Sequence, residues 1–183
     1  MTIRNVYLDC EFLPADPTLK GLVSIGLTDD QGVDYYAVHR DFDIKALGRS
    51  EWMMANVWPS LPKPHGDIRL HGKWPRLDKG DRSVKTAPQI AQDVADYFAA
   101  ADAETTHLWA WYGAQDMCRL HSLWDNDWSV MPEQIPQWFN ELEQLRWQAG
   151  GPEMPNQPAG LHNALADARH NRVMHEFLAG RTL

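Results

Sequence analysis

Residues 4–12, RNVYLDCEF, read as a β-strand that sets two carboxylates, Asp9 and Glu11, among apolar neighbours. Strand alternation puts Val6, Leu8, Cys10 and Phe12 on one face and Tyr7, Asp9 and Glu11 on the other. Acids two apart on a strand project from the same side, roughly 7 Å apart along the backbone. They repel and desolvate one another unless a cation or solvent compensates. The strand must therefore either form a wet edge or border a site where negative charge is neutralised.

The rest of the chain is arranged around that strand. A second strand at 22–28, a turn at Asp29-Asp30-Gln31-Gly32 and a third strand at 33–38 predict a hairpin. A helical stretch, 51–58, stops at Pro59, and an amphipathic helix over 88–100 carries Ile90, Val94, Tyr97 and Phe98 on one face. A strand at 107–112, a helix at 114–124, a short strand near 129–131 and a helix over 136–148 follow. A Pro/Gly-rich loop at 150–160 then leads to a last helix, 163–178. A meander followed by β-α units predicts an α/β fold, a mixed sheet with helices on its faces. At 183 residues this is one domain, 1–183, with a substantial core.

The net charge of −8 argues against passive nucleic-acid binding through clustered Lys and Arg. It leaves a nuclease open, because bound cations can bridge an acidic pocket to phosphate. The charge is uneven: residues 63–85 hold seven bases against three acids, within a Pro- and Gly-rich surface excursion at about 62–86. Cys10 and Cys118 form no C-x-x-C pair and suit a reduced, cytoplasmic compartment. No segment approaches the roughly 20 apolar residues of a membrane span. The N-terminus leads straight into strand-like sequence, so no signal peptide is expected.

Three further residues matter. Asp116 falls just inside the helix after an apolar strand, where an acid complements the helix dipole. His162 and Asp167 are five apart, about 140° on a regular helix, so they converge only if His162 lies outside it. Asn163 is a good N-cap, which would leave His162 before the helix and Asp167 in its first turns, with Asn171 on the same face. Each piece alone has an ordinary reading: a wet edge strand, a helix-start acid, a capped surface helix. Their order has no such ordinary reading.

The pattern of D-x-E on the first strand, Asp on a later helix and H-x(4)-D at the last helix resembles the DEDDh branch of the ribonuclease H-like 3′–5′ exonucleases. The tyrosine branch would have Tyr where this chain has Asn163. LVSIGLTDDQGVDYYAV, NVWPSLP, WYGAQDMCRLHSLW and LHNALADAR look most like the small stand-alone mycobacterial-type exoribonucleases. The resemblance implies a five-stranded mixed sheet, an RNA 3′ end as substrate, a homodimer and two divalent cations, Mg²⁺ or Mn²⁺. It also implies roles. Asp9 would bridge both cations, Glu11 and Asp167 would complete one site, and Asp116 would hold the second through water. His162 would be the general base, since an imidazole titrates near neutral pH. The product would be a 5′-mononucleotide. Many relatives place Thr or Ser after the motif Glu; this chain has Phe12, whose stacking on the terminal nucleotide competes with core packing, the side that alternation favours.

Of the nine tryptophans, Trp109, Trp111 and Trp124 read as core or interface. Trp74, in the basic excursion, is the best base-stacking candidate. Lys73, Arg76 and Lys79 would guide RNA toward the acidic pocket; a solvated mobile loop is the alternative. The eight histidines match no zinc spacing, and no phosphate loop or nucleophile elbow is present. The alternatives are a DNA-directed exonuclease with the same site and a non-catalytic RNA-binding protein on this fold. The second is disfavoured because all four acids and the histidine are in place.

Overall fold

A computed structural model describes residues 2–65, 74–100 and 104–181. β1 (Ile3–Phe12), β2 (Leu22–Asp29) and β3 (Asp34–His39) form an antiparallel meander. β5 (Thr105–Ala110) pairs parallel with β1 on its other side. Two-residue strands, β4 (Val84–Lys85) beside β3 and β6 (Asn140–Glu141) beside β5, extend both edges in parallel. The order is β4-β3-β2-β1-β5-β6, six strands where five were expected. Strands of two residues leave no periodic trace in a sequence, which accounts for the difference.

The β2–β3 turn is fixed from within. Asp29 accepts from the Gln31 and Val33 amides at 3.0 and 2.8 Å, and Gly32 takes φ +78°. Arg4 of β1 donates to Asp29 at 2.9 Å and to the Tyr97 carbonyl at 2.8 Å, so a buried ion pair ties the hairpin to the neighbouring strand.

Helices α1 (Ile44–Arg49), α2 (Glu51–Asn56), α3 (Ala87–Ala99), α4 (Ala114–Ser122), α5 (Leu142–Gln148) and α6 (Ala164–Ala179) cover the sheet. One core joins Val6, Leu8 and Cys10 of β1 to Ile90, Val94 and Phe98 of α3 and to Met117 and Leu120 of α4. A second cluster packs Val38 and Val84 against Leu47, Met53 and Trp58. The excursion is thus not wholly a surface feature: Leu77 and Val84 are buried in this cluster, and its end returns to the sheet as β4. Residues 129–131 form turns rather than a strand, and the helix expected over 136–148 begins only at Leu142.

α6 lies on the opposite face, the side of Asp9 and Glu11, and glycine allows it there. Gly26 sits beside Asp9 in the β1–β2 register. A Cβ on Gly26 would lie 2.3 Å from the Ala164 carbonyl carbon and oxygen, so the first turn of α6 rests directly on β2. Asn163 caps that turn, its side chain accepting from the Ala166 amide at 3.1 Å. Gly26→Ala should therefore destabilise the protein by about 3 kcal/mol, as overpacking against backbone does. Urea melts of the two proteins check this, and an unchanged midpoint would contradict the close packing.

Candidate active site

Pairing between β1 and β5 ends at Tyr7–Trp109, which leaves the last part of β1 without a strand on that side. Two side chains take the freed backbone groups. Asp116 accepts from the Cys10 amide at 2.8 Å, and Asn171 of α6 donates to the Leu8 carbonyl at 2.9 Å. The sheet edge thus docks the start of α4 and the middle of α6, and both helices deliver acids to it. Asp9, Glu11, Asp116, His162 and Asp167 all line one cavity of about 400 Å³. That volume suits a small ligand unit such as one nucleotide.

Within the cavity, ligand atoms of Glu11, His162 and Asp167 lie within 4.8 Å of one another. Glu11 is 8% exposed and Asp116 5%, while Asp9 and Asp167 are half-buried. Burial pushes the Glu11 carboxyl up to about 8, helped by the charges of Asp167 and Asp116. Burial also raises Asp116 to about 7, against the opposing Cys10 amide. Asp9 is raised well above the usual carboxylate range by burial and then by its three acidic neighbours, and burial raises Asp167. The Glu11 and Asp167 carboxylates face one another within this group, so each disfavours a full negative charge on its neighbour. Hard oxygen donors whose ionised form burial disfavours are a donor set suited to divalent cations.

His162 takes φ +61°, a left-handed turn that lifts it out of α6. Ser60, just after α2, donates to the His162 carbonyl at 3.0 Å, and the Trp52 ring meets the imidazole edge-on at 4.8 Å. The Gln157 amide donates to Asp167 at 2.6 Å, so the 150–160 loop reaches into the site. His170 and Arg146 hold that loop at the Pro155 and Pro152 carbonyls.

Trp111 and Tyr112, stacked at 5.4 Å, form part of the cavity wall. Trp111 belongs to this wall, not to the core, because β5 ends at Ala110 and the chain then turns out of the sheet. Tyr112 has φ +53°, and Glu141 holds the turn by accepting from the Tyr112 and Gly113 amides at 2.9 and 3.0 Å. Trp109 is half-buried and stacks on His175 at 3.8 Å.

The other proposed substrate contacts are scattered. Phe12 lines the cavity and also packs against the core, with the fully buried Arg119 guanidinium 4.8 Å from its ring. A register shift between Glu11 and Phe12 breaks the alternation that would have assigned it one face. Trp74, Arg76 and Lys79 do not line the acidic cavity; Arg76 and Lys79 border a different one. Lys73 lies outside the described residues. Trp52, Trp111, Tyr112 and Gln157 were missed. Trp111 and Tyr112 had a signal in their position five and four residues before Asp116, whereas Trp52 and Gln157 reach the site only through tertiary packing.

No protein-family model matches the chain. Over 163 residues it is 32% identical to a 3′–5′ exoribonuclease of Mycobacterium tuberculosis, found alike in strain CDC 1551 / Oshkosh and strain ATCC 25618 / H37Rv. The match covers 89% of this chain and 86% of each relative. Among solved structures, exonuclease I resembles it with a TM-score of 0.58 at 12% identity, over 97% of this chain and 41% of that one. A complex of exonuclease I with SSB-Ct gives 0.54 at 12% identity, over 99% and 42%. This chain spans about two fifths of exonuclease I, and the likeness is one of fold.

The raised carboxyls make a prediction about pH. Unfolded, these groups titrate near about 4. Up to about 8, the folded cation-free protein binds more protons than the unfolded chain. Their stabilising contribution is therefore full below the unfolded value and is lost as pH rises through the folded ones. Calorimetry in chelator should show the melting temperature falling between about pH 5 and 8, with Mg²⁺ or Mn²⁺ restoring it most at the upper end. Melting that rises over this window and ignores the cations contradicts the reading.

Proposed function

Because the chain belongs to the family of these 3′–5′ exoribonucleases, we propose that it removes nucleotides from RNA 3′ ends or overhangs by hydrolysis, releasing 5′-mononucleotides. The observation that carries the reading is the meeting of four carboxylates from β1, α4 and α6 with one histidine in a single cavity. Asp9, Glu11, Asp116 and Asp167 would hold two divalent cations, Mg²⁺ or Mn²⁺, which when bound lower the pKa of water and polarise a phosphoryl oxygen. His162, held outside α6 beside Glu11 and Asp167, accepts the proton of the attacking water. Gln157 fixes the Asp167 carboxylate. Trp52, Trp111 and Tyr112 offer flat faces to a nucleobase, and Phe12 lines the same cavity.

The whole chain is read as one exonuclease domain, to which the basic excursion contributes RNA contacts at Trp74, Lys73, Arg76 and Lys79. A homodimer is part of the proposal, supported by exposed Trp138 and Trp147. So is a cytoplasmic setting, supported by the unpaired Cys10 and Cys118. No helix among the described residues is long and apolar enough to cross a membrane.

Asp9→Ala and Asp167→Ala should each lower nucleotide release from end-labelled RNA by about a thousandfold, with cooperative melting retained. Substantial residual release in Mg²⁺ or Mn²⁺ would count against the assignment. Parallel digestion of matched DNA fixes the sugar preference.

A further inference from the structure

A second cavity, of about 590 Å³, lies between the β3–α1 turn and residues 75–79. Its walls include Phe42 and Pro75, and its rim carries Arg40, Arg76 and Lys79 against a single acid, Asp41. Lys79 pairs with Asp41 at 3.5 Å, but both side chains are more than half exposed, so that pair is weak. Among the described residues neither the Arg40 nor the Arg76 guanidinium has an ion-pair partner. Two unpaired guanidinium groups at an apolar-walled cavity stand out on a chain of net charge −8. Such a cavity attracts an anion and offers a flat apolar surface beside it.

Consecutive helices border the two cavities: Ile44 of α1 lines this one and Trp52 of α2 lines the acidic one. Trp74 and Pro75 rest on Gly48, where a Cβ would lie 3.1 and 2.7 Å from them. The Arg49 guanidinium lies 5.9 Å from the Trp74 ring. Three residues on, Trp52 lines the acidic cavity and meets His162. Arg49 thus meets Trp74, whose chain neighbours Pro75 and Arg76 line this cavity, and stands three residues before Trp52 of the acidic one. A single strand with its 3′ end among the carboxylates would meet these basic side chains with its upstream phosphates.

We infer that the Arg40–Arg76 cavity is a binding subsite for the backbone of single-stranded RNA upstream of the 3′ end. The inference rests on the proposed exoribonuclease function and extends it to a polarity of binding. Arg40 lies outside the basic excursion, so charge clustering along the sequence does not reveal it.

The test is the double variant Arg40→Gln/Arg76→Gln, with anisotropy of a labelled single-stranded RNA in Ca²⁺ and hydrolysis of the same RNA and of a dinucleotide in Mg²⁺. For the long RNA the Kd and KM should rise about tenfold, and the salt slope of binding should fall by about 1.4, the equivalent of two phosphate contacts. The rise in KM for the dinucleotide should be smaller, because neither arginine lines the acidic cavity. Unchanged affinity and salt slope, or an equal loss on the dinucleotide, overturns the subsite. Wild-type protein that binds the RNA but cleaves neither substrate counts against the exoribonuclease reading alone, because the salt slope of the variant still decides the subsite.

Discussion

Four carboxylates crowded at the end of one strand are the constraint on which the rest of this structure depends. Burial raises the cost of ionising all four, and the neighbouring acids add to that cost at Asp9 and Glu11. Polar anchors hold the cluster in place: the Cys10 amide on Asp116 and the Gln157 amide on Asp167. The fold concentrates unfavourable charge where a ligand of opposite charge can relieve it. Such a site is stable in proportion to what it binds.

The architecture exposes the end of β1 to make this possible. β5 stops pairing at Tyr7, and the vacated backbone groups become the docking points of α4 and α6. Gly26 lets α6 settle against the sheet on the side of the acids. Two non-glycine residues with left-handed backbone, Tyr112 and His162, line the cavity. Each is held by a distant partner, Glu141 for the Tyr112 turn and Ser60 for the His162 carbonyl. Strain that the surroundings enforce in this way is common at functional sites.

Much of this was legible in the chain because the signals are local. Alternation in β1, the turn around Asp29–Gly32, the apolar stripe of α3 and the Asn163 cap each lie within a few consecutive residues, and the structure has them. The five residues of the acidic motif meet in one cavity because their order along the chain follows the order of elements that meet there. What stayed hidden depends on tertiary contact. β4 and β6 are two-residue edges that exist only through their neighbours. The bulge at Glu11/Phe12 gives Phe12 both a core side and a cavity side, which alternation cannot describe. Trp52 reaches His162 across a separation in sequence that no local pattern encodes.

The central claim, that the acids form a paired cation site, is tested most directly by anomalous diffraction from crystals soaked in Mn²⁺ with a nucleoside 5′-monophosphate. Two peaks about 4 Å apart, bounded by Asp9, Glu11, Asp116 and Asp167, are the expected result. Crystals that bind the nucleotide in that cavity with no manganese at the carboxylates would contradict it.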